Sequence, residues 1–127
     1  MRVAQSSKEE SHVVKGRGYL VARRKDAPTV PCPCGRSTRI ITRQDTPVCN
    51  LHVTHIMDST RHYHKKCTEI YYILEGRGQM ELNGDVIEVE PGTVVVIEPG
   101  TRHRLWGDVH TIVFGVPALE PDDEYFD

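Results

Sequence analysis

Residues 61–76 read RHYHKKCTEIYYILEG, and the reading of this stretch decides what the rest of the chain has to build. His62 and His64 are two apart. Side chains at i and i+2 of a strand point to one face, so both imidazoles can converge on one point. Glu69 comes five residues after His64, and strict alternation would send it to the other face. A turn or bulge through Lys65 to Thr68 has to bring it back. With Glu69 facing inward, Tyr71 and Ile73 share its face. Tyr71 then offers a phenol for hydrogen bonding or proton transfer, or fills the interior as an aromatic. Cys67 lies in the expected bulge and reads as a buried thiol.

The flanking segments are strand-like. Residues 38–42, 48–57, 68–74, 79–82, 85–89, 93–97 and 109–116 are rich in Val, Ile, Thr and Tyr. Glu75-Gly76-Arg77-Gly78, Asn83-Gly84, Pro91-Gly92 and Pro99-Gly100 separate them. Asn83-Gly84 suits a two-residue type I′ hairpin, in which both central positions need positive φ. No segment carries an apolar helical period, so the fold class is all-β with little or no helix, a sandwich or barrel. Met80, Leu82, Ile87, Val89, Val94, Val96, Leu105, Trp106, Ile112 and Phe114 are expected to supply its lining and core.

A second informative segment starts at Gly92, runs through Thr93–Ile97 to Gly100, and places His103 three residues further on. Three imidazoles and one carboxylate make a ligand set for a divalent first-row metal. Aimed into one barrel without a metal, they would be poorly satisfied buried polar groups. The remaining histidines carry no assigned chemistry. His52 and His55 fall on opposite strand faces, so one of them can approach the interior. His12 lies in the N-terminal arm, and His110 is taken as a non-ligand.

Both segments resemble the signature motifs of the cupin superfamily. In the first, G-x5-H-x-H-x3–4-E-x6-G, the residues His62, His64, Glu69 and Gly76 fit, and Ile56 stands where the opening glycine would be. In the second, G-x5-P-x-G-x2-H-x3-N, the residues Gly92, Gly100 and His103 fit. There Glu98 replaces the proline and Gly107 the asparagine. The resemblance implies a double-stranded β-helix, the cupin or jelly-roll barrel, over residues 38–116. It also implies one divalent transition metal (Fe, Mn, Ni, Cu or Zn) held by His62, His64, Glu69 and His103. It further implies a small-molecule ligand and a homodimer.

Residues 1–37 read as a partly extended N-terminal arm and residues 117–127 as an acidic tail, free or docked through Tyr125 and Phe126. A length of 127 residues leaves room for one sizeable core. A net charge of -2 argues against a dedicated nucleic-acid binder, and no apolar run of membrane-spanning length is present. The first residues lack a signal-peptide apolar core, so a cytoplasmic protein with reduced cysteines is expected. Cys32-Pro33-Cys34 is then a pair of loop thiols, with a small structural metal site as the alternative. Arg61, Arg102 and Arg104 flank the ligands, and one of them at the barrel mouth can hold a substrate carboxylate. The functional expectation is a metal-dependent enzyme on a small polar or carboxylate metabolite. Dioxygenase chemistry stands ahead of isomerase or decarboxylase chemistry. The alternative is a non-catalytic module that binds or senses a small ligand.

Overall fold

In the computed structural model, which describes residues 5–6 and 11–127, regular structure is almost entirely antiparallel strand. A small sheet joins β1 (Gln5–Ser6), β2 (Val13–Gly16) and β3 (Tyr19–Ala22). The main sheet is built from β4 (Thr29–Cys32), β5 (Gly35–Ile41), β6 (Asn50–Asp58), β7 (Thr68–Glu75), β8 (Gly78–Leu82), β9 (Asp85–Val89), β10 (Val94–Ile97) and β11 (His103–Val116). Its order is β10-β7-β11-β6-β5-β4, with β8 pairing both β11 and β9. Among the described residues the helical content is one 3-10 turn, Arg24–Asp26, and no helix is long and apolar enough to cross a membrane.

The long strand β11 closes the barrel. Its first half, His103–Gly107, pairs with β8, and its second half runs between β6 and β7. The change of partner occurs at a register shift between Trp106 and Val109, where Gly107 has φ +121°. A bulge there bends the strand and lets it serve two sheet halves. Gly76, with φ +86°, sits against the bulge, and a Cβ on it would overlap the Asp108 carbonyl oxygen. The Asn83-Gly84 hairpin has positive φ at both positions, 50° and 93°, as its sequence requires.

Ile56, Tyr71, Ile73, Met80, Val89, Val95, Ile97, Leu105, Val109 and Val113 form the core. Two expected faces are reversed. Val94 and Val96 are 56% and 58% exposed, while Val95 and Ile97 are buried. Pairing decides this, because Val95 lies opposite Tyr71 and Ile97 opposite Glu69, and directly opposed residues share a face. By the same rule Ile112 and Phe114, opposite Tyr72 and Ile70, turn outward, and Thr111 and Val113 turn in.

Strand content also extends into the arm. β4 and the first residues of β5 form a hairpin of the main sheet that straddles the expected arm–barrel boundary at residue 37. Pro31 and Pro33 hide this strand in the sequence, and its edge position tolerates Pro31. At the hairpin turn Cys32 and Cys34 are joined as a disulfide with Cα atoms 5.1 Å apart, so they are not the free thiols expected, while Cys49 and Cys67 are free. The acidic tail is docked. Tyr125 and Tyr63 exchange backbone hydrogen bonds of 3.0 and 2.9 Å, and their rings stack at 5.3 Å.

The pinch at Gly76 is open to test. Gly84→Ala, at a positive φ with nothing within 4 Å of its Cβ, should cost about 1 kcal/mol. Gly76→Ala adds a backbone overlap to the same strain and should lower the melting temperature distinctly further. Equal melting temperatures would remove Gly76 from this role.

Candidate metal centre

The centre begins as a strand pairing. His62 and His103 form an isolated antiparallel bridge, with N–H···O distances of 3.1 and 2.9 Å. His64 lies two residues along and accepts the Gly100 N–H at its carbonyl at 2.7 Å. The chain then makes the bulge that the spacing of Glu69 demanded. The backbone N–H groups of Lys65, Lys66 and Cys67 all donate to the carboxylate of Asp123, at 2.8, 3.1 and 3.1 Å. Asp123 is 2% exposed, so a buried anion in a nest of amides holds the turn. Glu69 enters β7 facing inward.

Each imidazole is oriented by its Nδ1. That atom donates to the carbonyl oxygen of Thr60 in His62 (2.7 Å), of Asp123 in His64 (2.6 Å) and of Thr101 in His103 (2.9 Å). The Nε2 atoms therefore face the interior, the arrangement in which histidine binds metal. One ligand atom from each of His62, His64, Glu69 and His103 lies within 4.8 Å of the others. Glu69 Oε1 is 3.0 Å from His64 Nε2 and 3.3 Å from His103 Nε2. His103 Nε2 is fully buried and has no hydrogen-bond partner. Three inward Nε2 atoms around a carboxylate, that of His103 without a hydrogen-bond partner, are what a cation would satisfy, so these residues fit a divalent metal.

The electrostatics agree. Burial acts to raise the Glu69 pKa, but the His103 and His64 rings overcome it and hold the carboxyl well below its usual range. His64 is also opposed by burial, yet Glu69 and the Asp123 carbonyl raise it to about 9. Burial and the neighbouring His103 lower His62. Without a cation, a proton at His64 is the charge that balances Glu69.

Beside these four residues lies a cavity of about 110 Å³, lined among others by Tyr71, His52, Arg39, Val113 and Glu124. Tyr71 is 6% exposed, and burial together with Glu69 raises its phenol well above the ordinary value. His52 is the member of the His52/His55 pair that faces in, and burial, then Arg39, lowers it to about 4. His55 instead stacks on His110 at 4.1 Å and pairs with Asp108 at 2.6 Å. None of the three arginines expected at the mouth lines the cavity. Arg61 and Arg102 close on Asp127, at 3.1 and 3.0 Å, and the Arg102 guanidinium lies 3.5 Å from the Tyr63 ring centroid. Arg104 pairs with Asp58 at 2.7 Å over Trp106. Cys67 is buried outside the cavity, and burial and then Glu69 raise its thiol to about 12.

The residues missed by sequence reasoning are Asp123, Glu124 and Arg39. Glu124 lines the cavity and brings Oε1 to 3.7 Å from His62 Nε2. The tail's five acidic residues look alike in sequence, and only the docking of Tyr125 on Tyr63 separates their roles. Arg39 faces the cavity because it sits opposite His52 on β5.

Asp123→Asn keeps the shape but removes the anion that orders the bulge. It should weaken divalent metal binding by about 10- to 100-fold, measured by competition with a chromophoric chelator. Unchanged affinity in a folded variant would show that the bulge orders itself.

The family model for the cupin domain matches residues 52–112. An uncharacterised protein of Methanocaldococcus jannaschii is 48% identical over 44 residues, which is 35% of this chain and 35% of that protein. A glucose-6-phosphate isomerase of Thermococcus onnurineus is 36% identical over 73 residues, covering 50% of this chain and 39% of the isomerase. The matched part is thus little more than a third of each curated relative. A protein from Planctomyces limnophilus superposes with a TM-score of 0.78 at 29% identity, covering 84% of this chain and 95% of that one. At lower identity the barrel is shared with the nucleoside dehydratase Pac13 (TM-score 0.70, 15% identity, 81% and 86% covered). It is shared likewise with the ectoine synthase of P. lautus (TM-score 0.71, 19% identity, 84% and 88% covered). Residues 52–112 match the cupin-domain model, and the chain has the fold of small cupin-type β-barrels.

Proposed function

We propose that the protein is a metal-dependent enzyme that isomerises or dehydrates a small polar metabolite by proton transfer. The observation that carries this reading is the pairing of the four-ligand cluster with two proton-handling side chains on the same cavity, Tyr71 and Glu124. A divalent metal bound by His62, His64, Glu69 and His103 would supply Lewis-acid polarisation of a substrate oxygen. Tyr71, with its phenol raised well above the ordinary value by burial and by Glu69, keeps its proton at neutral pH and acts as a donor. Glu124, partly solvated and lining the same cavity, supplies a carboxylate to accept a proton. Arg61 and Arg102 hold Asp127 and so position the tail that carries Glu124. The cavity suits a small metabolite, being well below the ~300–1,000 Å³ of drug-sized sites.

The relatives favour this branch over oxygen chemistry. One is an isomerase and another shares the barrel as a dehydratase, and both reaction types are proton shuffles. The test is metal analysis of tag-free protein, followed by a sugar, nucleoside and hydroxy-acid panel run with and without oxygen. Oxygen-independent turnover that falls about 10²–10⁴-fold in Tyr71→Phe is expected. Oxygen consumption coupled to turnover would move the assignment to a dioxygenase. Tight metal-dependent ligand binding without conversion would move it to a binding module.

The same proposal includes a homodimer. The edge strand β10 exposes Val94 and Val96, at 56% and 58%, beside Tyr72 of β7 at 42%. An apolar sheet face at an unpaired edge is a surface for a second copy of the chain. Sedimentation should give a dimer that Val96→Lys splits; a monomeric wild type would refute the pairing.

A further inference from the structure

The cavity has a second polar end that the metal cluster does not use. Tyr71 on β7, Val113 on β11, His52 on β6 and Arg39 on β5 are successive cross-strand partners, a single row across the main sheet. All four line the cavity. Three strand spacings, about 14 Å, separate β7 from β5 along this row. One end of the row lies by Glu69, two residues from Tyr71. The other end is Arg39 above His52. Val113 supplies an apolar step between them.

Charge differs between the ends. The carboxylates lining the cavity, Glu69 and Glu124, both lie at the histidine end. Arg61, Arg102 and Arg104 are paired with Glu81, Asp127 and Asp58. Arg39 has no carboxylate partner among the described residues; its lining neighbours are Ser37, two residues earlier on β5, and His52 and Thr54 across on β6. A guanidinium at a cavity mouth with free donors is a fork for a carboxylate.

We propose that Arg39, assisted by His52, is the specificity residue of the site and anchors the carboxylate of an elongated small metabolite whose opposite, oxygen-bearing end meets the metal cluster. This rests on the reading of the cavity as a metal-dependent substrate site. It assigns to Arg39 the substrate-holding role expected of the arginines next to the ligands.

The experiment uses metal-loaded protein and a matched set of chelators. Acetohydroxamate reports the metal end alone. Malonyl, succinyl and glutaryl monohydroxamates add a carboxylate at increasing reach, and their terminal amides are the uncharged controls. Calorimetry should show at least one acid binding about tenfold or more tightly than its amide. Arg39→Gln should abolish that preference and leave acetohydroxamate affinity unchanged, while Arg39→Lys should restore part of it. A preference that survives in Arg39→Gln, or none in wild type, overturns the proposal. Failure of acetohydroxamate itself to bind would instead count against the metal centre. A metal-free measurement then still decides the anchor: succinate should shift the His52 ring resonances in wild type but not in Arg39→Gln, and no shift in wild type overturns it.

Discussion

The buried carboxylate of Asp123 is the contact on which the centre depends. Three successive amides of the turn after His64 converge on it, and its own backbone carbonyl takes the Nδ1 proton of His64. One tail residue thus sets both the orientation of a ligand ring and the bulge that returns Glu69 to the inner face. A buried charge is costly unless fully hydrogen-bonded, and here the amides meet that requirement. The tail is held by the Tyr63–Tyr125 bridge and by Asp127 closing on Arg61 and Arg102.

The second organising feature is that backbone, not side chains, orients the histidines. All three Nδ1 atoms donate to main-chain carbonyls, so the tautomer follows from chain path alone. The His62–His103 bridge brings together residues 41 apart in sequence as a local strand pair. The inner face is thereby prepared for a cation, and the carboxylate there is shared between His64 and His103.

The family-matched segment, residues 52–112, holds His62, His64, Glu69, His103 and Tyr71, but much of the cavity wall lies outside it. Cys34, Ser37 and Arg39 come from before it, Val113, Leu119 and Glu124 from after it. The matched segment therefore carries the His/Glu cluster, and the hairpin β4–β5 together with the tail supplies the rest of the cavity wall.

Spacing and the motif resemblance picked out the four residues that cluster, His62, His64, Glu69 and His103; spacing alone gave the need for a bulge before Glu69, the inward face of Tyr71 and the type I′ turn at Asn83-Gly84. Those follow from the two-residue period of a strand and from the φ that glycine permits, which are local properties. Faces of β10 and β11 were not legible, because a run such as Val94-Val95-Val96-Ile97 has no alternation, and cross-strand partners chose which residues turned in. The roles of Asp123, Glu124 and Arg39 were not legible either. A charged residue in a tail or on a strand of mixed pattern looks solvated until long-range pairing brings it to a buried turn or a cavity. Nor could sequence neighbours decide which arginines stand free, since Arg61, Arg102 and Arg104 meet their partners only through docking of the tail, β8 and the β6–β11 contact. Local period fixes which side chains share a face; only the closed barrel decides what that face encloses.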